Sequence, residues 1–477
     1  MRNNTMKKLL AGVLLTAILM SMIVGCGSTE EQTATRDTND QESAATETAE
    51  TVTVDFWTAP EQYNLDFWSG YAEKFNASKV EMDGKVIEVK VQMMPAQPSS
   101  EAGIQNAIAT GTVPAISENI NRSFANILAD SEAVYDMSGE EWFKDIVTER
   151  KIESTMEGWA IDGAQYVLPL YVNPITLCYN SKALAALGFD SVPKTTADLE
   201  ALLTAYQEKQ ADMEAAGITH FMYRAELLNS ANYWERWFDV EAPYNALAQG
   251  TPLVDGNKLT ADKEALGKVF SMYGNMGTSL LTGTIDGLWQ SETVPVVMGI
   301  GLPWEISATE AAGKVYGLDG DYVFGPSLVE NEGDVAYNYA DSKGIVLYKN
   351  DSISEEEHNG AVEFLKYVFL GEGKDTFDID WLNTTSMLPV RGDLTTNETF
   401  AAYFEEHAAL KDVGAFVPDA IPGMAHEKGA EIMTALGEAM IPMVNEVTSN
   451  GEINGNPDVS AYVEEAMNAM KEAGGLE

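Results

Sequence analysis

The sequence predicts an α/β fold in which two lobes are each built on a sheet wound with helices. Two separate stretches of the chain alternate between the period-2 pattern of strands and the 3.6-residue pattern of helices. Hydrophobic residues make up 45% of the chain. About 425 residues follow a polar N-terminal segment, which is enough for two or three domains with a large core.

The first alternating stretch predicts a β-α-β-α-β unit. TVTVDFW (51–57) and KVIEVKVQMM (85–94) are rich in β-branched residues and predict strands. Residues 64–78 place aromatic and aliphatic side chains three and four apart, as an amphipathic helix does. Residues 102–116 predict a helix, a glycine stop and a short strand. This order favours a parallel sheet covered by helices.

The same alternation returns in the second half of the chain. An extended segment broken by two prolines (166–180) is followed by a helix–turn–helix (181–217) and by a buried strand before a Gly-Pro turn (294–307). A further strand (344–350) and an amphipathic helix (358–371) come next, and the last hundred residues are mostly helical.

Residues 1–25 have the organisation of a secretory signal peptide. A basic start with Arg2, Lys7 and Lys8 precedes an apolar run and the small residue Gly25. A membrane span is the alternative interpretation. A span needs about 20 apolar residues with a basic flank, and this run is shorter and lacks a basic stop after it.

The segment IVGC, which ends at Cys26, resembles the bacterial lipobox. The resemblance implies that a diacylglyceryl group is attached to the Cys26 sulfur and that cleavage leaves Cys26 as the first residue. Two acyl chains anchor a protein stably, whereas one binds only marginally. Residues 26–51 cannot bury enough apolar surface to order themselves and predict a flexible tether. A disulfide with Cys178 is the alternative, but Cys178 lies in an apolar stretch and is expected to be a small buried residue.

The chain is strongly acidic, with a formal net charge of −45. Binding to nucleic acid needs clustered lysine and arginine, so no nucleic-acid partner is expected. The charge also argues against a body that lies flat on anionic lipid. An anionic solute would be repelled unless a local arginine captured it.

Several separated motifs stand in an order that resembles the extracellular solute-binding proteins of ABC importers, in the large family whose best-known member binds maltose. The resemblance runs from about Val52 to the C-terminus. Two departures, Ala115 in place of the usual Asp and SETVP at 291–295, leave the fold prediction unchanged. The motifs are VDFWTAP, AIATGTVPAI, GAQYVLPLYVNPITLCYNSKALAALGFD with VPKTTADLEALL, PVVMGIGLPWEIS, SKGIVLYKN with AVEFLKYVFL, and SMLPVRGDL.

The resemblance implies a two-lobed periplasmic-binding-protein-like (class II) fold with a hinge and a ligand cleft between the lobes. Crossover strands would join the lobes at about residues 168–174, 324–339 and 387–391. The predicted lobes are residues 52–170 with 336–388 for lobe 1, and residues 171–335 with 389–477 for lobe 2.

The resemblance also suggests which residues bind the ligand. A sugar ring has an apolar face that tryptophan or tyrosine covers and a rim of hydroxyls that polar side chains bind. Trp304 and Trp381 correspond to stacking positions, and Trp57 corresponds to a position that faces the cleft. The alternative for Trp304 and Trp57 is a core tryptophan. For the other candidates the alternatives are core packing, a solvated surface or, for the arginine near the third crossover, a salt bridge. They are Glu61, Glu118, Asn121, Arg122, Tyr171, Asn173, Arg391 and one of Trp234 and Trp237.

The sequence gives little support for an enzyme. The four histidines are scattered, and the sequence has no His-Glu-x-x-His, Gly-x-Ser-x-Gly, phosphate-loop or Cys-x-x-Cys motif. We therefore expect no enzyme activity, no cofactor and no metal site. With 74 acidic residues a carboxylate pair could arise by chance, so a secreted enzyme that acts on glycans stays an alternative.

Together these observations predict a lipid-anchored substrate-binding subunit of an ABC importer on the outer face of the cytoplasmic membrane. Its solute would be a carbohydrate, most simply an oligosaccharide, which is captured by hinge closure and delivered to the importer's membrane subunits. The protein is expected to be a monomer. A non-sugar solute such as a peptide, a polyol or a phosphodiester is the alternative within the same class.

Overall fold

Strands and helices alternate along the chain in the order that the hydrophobic pattern predicts. The computed structural model describes residues 50–477 except 98, 225–226, 229–235, 284, 286, 395 and 453. The predicted signal peptide, Cys26 and Trp234 lie outside the described residues. The strands, numbered in chain order, are β1 (Thr51–Thr58), β2 (Glu81–Met82), β3 (Lys85–Met93), β4 (Ile116–Ile120), β5 (Leu168–Pro174), β6 (Thr176–Asn180), β7 (His220–Arg224), β8 (Val254–Asp255), β9 (Lys258–Leu259), β10 (Leu280–Thr282), β11 (Val296–Gly301), β12 (Tyr322–Gly325), β13 (Asn338–Leu347) and β14 (Ala420–Pro422).

The helices are mostly short, and several begin with a side-chain cap. Capping boxes formed by Thr195 with Asp198 and by Ser354 with Glu357 satisfy backbone N–H groups at two of the starts. The α-helices, numbered in chain order, are α1 (Gln62–Ser78), α2 (Ser100–Thr110), α3 (Arg122–Asp130), α4 (Glu141–Arg150), α5 (Glu153–Trp159), α6 (Ser181–Leu187), α7 (Thr196–Glu208), α8 (Gln210–Ala215), α9 (Ala242–Leu247), α10 (Lys263–Met276), α11 (Ile306–Ala311), α12 (Glu355–Phe369), α13 (Lys374–Thr385), α14 (Glu398–Glu406), α15 (Ala408–Gly414), α16 (Gly429–Ser449) and α17 (Ser460–Gly474).

The first sheet has the strand order β14-β13-β4-β1-β3-β2, and β5 also pairs with β13. Its centre is parallel, because β1 runs alongside both β3 and β4 in the same direction. β13 is antiparallel to β4 and to β5. The parallel sheet predicted for residues 51–116 is therefore confirmed. β13 enters this sheet only after the chain has passed through the second sheet, and it adds an antiparallel strand.

Aromatic side chains dominate the core of the first lobe. Helix α1 buries Trp68 and Phe75 against β1 and α12. The ring centroids of Phe56 and Trp68 are 4.7 Å apart, and those of Phe75 and Phe364 are 5.3 Å apart. Each fully buried side chain of this size contributes about 1.5–3 kcal/mol to the free energy of unfolding. This packing holds the loop after β1 in place.

The second sheet has the order β10-β7-β11-β6-β12 and is covered on both faces. Successive side chains of a strand point to opposite faces. Tyr179 and Val297 accordingly join one core, whereas Cys178 and Val296 join another. Cys178 is 2% exposed, so the expectation of a small buried residue is confirmed.

The two sheets are connected by segments that leave one and enter the other. Only Ile175 separates the end of β5, in the first sheet, from the start of β6, in the second. Further along, the chain passes from β12 to β13. The segment after α13 also runs beside β5, because the Val172 N–H donates to the Leu388 carbonyl over 2.8 Å and the Val390 N–H donates to the Leu170 carbonyl over 3.0 Å. The fold is thus two α/β lobes joined by crossover segments.

None of the described helices is long and apolar enough to cross a membrane.

Candidate ligand-binding site

The carboxyl ends of β1 and β4 bring polar side chains together beside β13. Glu118, on β4, accepts hydrogen bonds at Oε1 from the Ala59 N–H over 2.6 Å and from Asn64 Nδ2 over 3.1 Å. Both donors lie where the chain turns from β1 into α1. Ligands of wound α/β sheets bind at this edge, beyond the carboxyl ends of the strands.

The Glu118 carboxyl is fully buried, and its second oxygen, Oε2, has no hydrogen-bond partner among the described residues. Burial and, to a smaller extent, the charge of the neighbouring Glu61 raise the pKa of Glu118 to about 7. The Ala59 N–H, the positive charge of Lys343 and the Asn64 amide oppose this rise. Glu118 is therefore a carboxyl group poised to titrate near neutral pH.

Glu61, Glu118 and Asp341 form an acidic cluster next to Lys343. The Glu61 side chain is exposed, yet enough protein surrounds it that desolvation raises the pKa of its carboxyl, with Lys343 opposing and Asp341 adding to the shift. Asp341 is 9% exposed, and its burial likewise raises its pKa. Lys343 Nζ lies 3.9 Å from Asp341 Oδ1. Burial and, after it, the charges of all three carboxyls raise the pKa of the Tyr63 hydroxyl. Tyr63 is therefore a neighbour of these groups.

Tyr171 lies on β5 at the same edge. Its hydroxyl donates to Asn119 Oδ1 over 3.2 Å, and burial followed by the charges of Asp341 and Glu118 raises its pKa well above the usual value. Its ring stacks on Trp381 with the centroids 5.8 Å apart. Trp381 is fully buried behind Tyr171, so the structure places it in the core of the first lobe and not at the surface of the cleft.

Asn173 is paired with Asp341 across β5 and β13. Its Oδ1 accepts the Leu388 N–H over 3.2 Å, which ties β5 to the third predicted crossover. Its Nδ2 is buried without a hydrogen-bond partner among the described residues. Asn173 thus combines a structural role with a buried donor group whose hydrogen bond is not made among the described residues.

Trp304 lies between the two lobes. It follows β11 in a short 3-10 turn, Pro303–Glu305, and is half-buried against the cores of both lobes. Its ring centroid is 6.1 Å from that of Phe238, which is in turn 5.8 Å from that of Tyr339 on β13. The ring of Trp304 therefore stands where the lobes meet, with part of its surface accessible.

The other predicted tryptophans are buried. Trp57, near the end of β1, is 8% exposed and belongs to the core of the first lobe. Trp237 is also buried, in a π-helical turn, Trp237–Glu241, and stacks on Tyr339 with the centroids 5.6 Å apart. Trp237 therefore packs against β13, whereas Trp57 packs within the first lobe.

Three predicted polar residues hold the protein's own structure together. Asn121 caps α3, since its Oδ1 accepts the Phe124 N–H over 2.8 Å. Arg122 Nη2 donates to the Ala160 carbonyl over 2.9 Å, and burial lowers the pKa of its guanidinium. The third, Arg391, pairs with two aspartates.

Arg391 belongs to an ion-pair network. Its Nε donates to Asp393 Oδ1 over 2.8 Å, and its Nη1 donates to Asp378 Oδ2 over 3.1 Å. Asp378 also accepts from Arg150 Nη2 over 2.9 Å. The geometry matches the salt-bridge alternative for this residue, and the binding role stays a prediction.

The structure adds residues to this site that the sequence did not suggest, namely Tyr63, Asn64, Asn119, Asp341 and Lys343. Of these, Asp341 and Lys343 immediately precede the motif GIVLYKN, from which a strand was predicted. Their polar side chains interrupt the hydrophobic pattern of that strand, so the pattern gave no signal for them. Among the described residues, no group of three or more His, Cys, Asp or Glu side chains could hold a metal ion. The arrangement offers hydrogen-bond acceptors, one lysine and aromatic faces, which suits reversible binding of a polar solute.

The chain belongs to the family of bacterial extracellular solute-binding proteins, whose model matches residues 70–409. The crystal structure of an uncharacterized protein from Listeria monocytogenes EGD-e is 31% identical, with a TM-score of 0.71 over 89% of this chain and 98% of that one. No curated protein sequence matches the chain.

Two more distant structures share the fold. The GacH receptor of Streptomyces glaucescens GLA.O, solved unliganded and with acarbose and an acarbose homolog, is 17% identical with a TM-score of 0.65, covering 89% of this chain and 99% of that one. UgpB of Mycobacterium tuberculosis, in complex with glycerophosphocholine, is 15% identical with a TM-score of 0.67, covering 88% and 98%.

These similarities confirm the predicted family and the two-lobed α/β fold. Members of the family bind small solutes outside the cytoplasm and deliver them to ABC transporters. The protein is therefore an extracytoplasmic solute-binding protein.

Proposed function

We propose that the protein captures an extracellular oligosaccharide and delivers it to the membrane subunits of an ABC importer. The observation that carries this proposal is Trp304, whose half-buried ring contacts the cores of both lobes. An aromatic face at a lobe junction, with carboxylate and amide groups on the adjoining wall, matches the two surfaces of a sugar ring. One structure that shares the fold was solved with acarbose, so carbohydrate is the first class to test, and another was solved with glycerophosphocholine, so a phosphodiester is the second.

Hinge closure is the proposed mechanism. A solute that touches both lobes binds the closed form better and shifts the population toward it. The crossover at Ile175 and the paired segments of β5 and residues 387–391 are the proposed hinge. We keep the predicted lobe bounds as part of this proposal. They are residues 52–170 with 336–388 for lobe 1, and residues 171–335 with 389–477 for lobe 2. The protein performs no chemistry on its solute in this scheme.

Within the site, we assign the solute's apolar face to Trp304 and its hydroxyl rim to Glu61, Glu118 and Asn173. Trp57, Tyr171, Trp237 and Trp381 support these surfaces from the cores, and Trp234 belongs to the same candidate set. Asn121, Arg122 and Arg391 stay predictions as ligand contacts, because each has a partner within the protein.

The N-terminal part of the proposal concerns location. Cys26 carries the lipid, and residues 26–51 tether the body to the outer face of the cytoplasmic membrane. The protein works as a monomer. Mass spectrometry of the membrane-extracted protein tests this directly, since a diacylglyceryl group on an N-terminal Cys26 is expected. An intact Met1 or an unmodified Cys26 would contradict it.

Thermal melts of the folded body against a panel of mono- and oligosaccharides test the solute class. Amino acids, peptides, polyols and glycerophosphodiesters serve as controls. A ligand at about 100 times its dissociation constant stabilises the native state by about 2.7 kcal/mol, which a melt detects. Recovery of the sugar intact after incubation distinguishes a binding protein from a glycan-acting enzyme. Melts that shift only with a peptide, a polyol or a phosphodiester would overturn the carbohydrate assignment.

A further inference from the structure

The acidic cluster carries more negative charge than its surroundings balance. Lys343 is the cation that acts on Glu61, Glu118 and Asp341 alike. It is also the partner of Asp341, at 3.9 Å. One lysine among three carboxyl groups leaves a negative excess when all are ionised. Closing the lobes around a solute would remove water from this wall and strengthen that excess.

The cluster also has an acceptor with nothing bound to it. Glu118 is 0% exposed, and its Oε1 is already occupied by the Ala59 N–H and the Asn64 amide. Its Oε2 has no partner among the described residues. Tyr171, whose hydroxyl donates to the adjacent Asn119, lies close to Glu118, and the charge of Glu118 helps to raise the pKa of the Tyr63 and Tyr171 hydroxyls. A buried carboxylate oxygen without a donor is unfavourable unless a ligand supplies one.

The chemistry of the cluster separates the candidate ligands. A sugar hydroxyl could donate to Glu118 Oε2 but would leave the excess charge unbalanced. A quaternary ammonium would balance the charge but has no N–H to donate. A bare metal ion needs a tighter ligand set, and the described residues hold no group of three or more that could bind one. A protonated amine supplies both the charge and the donors.

We propose that the solute carries a protonated primary or secondary amine, which donates to Glu118 Oε2 and is stabilised further by the negative charges of Glu61 and Asp341. This inference rests on the proposed function and narrows its solute class to an amino sugar or an oligosaccharide that contains one. The amine lies against the wall formed by β4, β13 and the start of α1, while the ring of the sugar reaches toward Trp304.

The proposal has a proton-linked signature. Glu118 is surrounded by Glu61, Tyr63 and Asn64 from the start of α1, by Asp341 and Lys343 from β13, and by Tyr171 from β5. A bound cation favours the ionised form of Glu118, whose pKa is about 7 in the free protein. Binding of an amine below neutral pH should therefore release a proton, whereas binding of a neutral sugar should not.

Isothermal titration calorimetry with matched sugar pairs tests the inference on the full-length protein in detergent. The pairs are glucosamine with glucose, galactosamine with galactose, and the glucosamine trimer with cellotriose. Each titration is run at about pH 6.5 in phosphate and in imidazole, which differ in ionisation enthalpy. We expect the aminated member of at least one pair to bind about tenfold or more tightly than its neutral partner, with proton release.

Glu118→Gln is the diagnostic variant, because its amide oxygen can still accept from Ala59 and Asn64 while the charge is removed. It should lose the preference for the aminated sugar and the proton release. Glu332→Gln, on the exposed surface, is the matched control and should keep both. Equal behaviour of the two variants would overturn the inference.

Other outcomes separate this inference from the proposed function. Tighter binding of the neutral member in every pair, or binding of neutral sugars alone, would overturn the amine assignment and leave an oligosaccharide-binding protein. Failure of all the aminated sugars to bind would also overturn it. Failure of every carbohydrate, aminated or neutral, would reject the proposed function as well.

Discussion

The Tyr171 hydroxyl donates a hydrogen bond to Asn119 Oδ1 over 3.2 Å, and this bond joins the crossover strand β5 to the end of β4. Asn119 has a φ of +68°, in the left-handed region that asparagine tolerates better than most residues. The bond therefore holds a strained backbone residue beside Glu118. The side chains where β5 meets the end of β4 are positioned by one another over long separations in sequence.

Replacement of Tyr171 with phenylalanine removes this bond and keeps the ring against Trp381. We expect the free energy of unfolding to fall by about 1 kcal/mol, the net value of one hydrogen bond. Denaturant unfolding measures it. Tyr462→Phe, which removes a surface contact with Glu446, is the control and should change the free energy by a few tenths of a kcal/mol at most. An equal loss in both variants would show that the hydrogen bond to Asn119 stabilises the folded state no more than a surface contact does.

Replacement of Trp304 with alanine should weaken sugar binding by about tenfold to a hundredfold, since a stacking aromatic face contributes about 1–3 kcal/mol. Trp304→Phe keeps a smaller face and should lie between the two. Titration of the sugar that gives the largest melt shift measures the affinities. Trp289→Phe, in the core on the other face of the second sheet, is the control and should lower stability without changing affinity. Wild-type affinity in a folded Trp304→Ala protein would rule out the stacking role.

The buried Glu118 carboxyl should make the ligand-free protein less stable as pH rises. Its pKa is about 7 in the folded protein against an ordinary value of 4.5, so the folded state holds the proton more tightly than the unfolded chain. The stabilising contribution is therefore complete below about pH 4.5 and is lost as pH rises through about 7. The shift corresponds to about 3 kcal/mol at most.

Glu118→Gln should flatten this pH dependence, which urea unfolding at a series of pH values between 5 and 8 would reveal. Glu241, whose burial raises its pKa to about 8, adds to the same slope in both proteins. The difference between wild type and variant isolates Glu118. A variant with the wild-type slope would show that Glu118 keeps an ordinary pKa.

Replacement of Arg391 with methionine should destabilise the protein and leave sugar affinity unchanged. Asp378 keeps its 2.9 Å bond to Arg150, whereas Asp393 loses the partner that, with Lys151, holds the pKa of its carboxyl below the usual range. We expect a loss of about 1–3 kcal/mol in unfolding free energy. Lys90→Met, on the exposed surface, is the control. A selective loss of affinity would instead place Arg391 in the ligand site.

The strands rich in β-branched residues and the amphipathic helices could be predicted because their patterns are local. β13 was predicted from residue 344 but begins at Asn338. The prediction missed its first half because that half carries Asp341, Ser342 and Lys343. A strand that crosses between lobes is polar there and still buried. Hydrophobic patterning cannot detect such a strand.

The candidate site was harder to predict, because its contacts join residues far apart in sequence. Glu118 meets Asn64, 54 residues away, and nothing local to either indicates the pairing. Composition also could not separate a stacking tryptophan from a core tryptophan. Trp381 and Trp304 both follow plausible motifs, but one is fully buried and the other lies at the lobe junction.

The burial of Cys178 has a practical consequence for testing the proposed hinge closure. Its thiol is enclosed in the second sheet, and burial raises its pKa well above the usual value, so it reacts slowly with maleimides. In a protein that begins after Cys26, one cysteine introduced on the surface of each lobe would be the group that dyes modify. A donor and an acceptor fluorophore attached there would report the separation of the lobes directly, without removal of the native thiol.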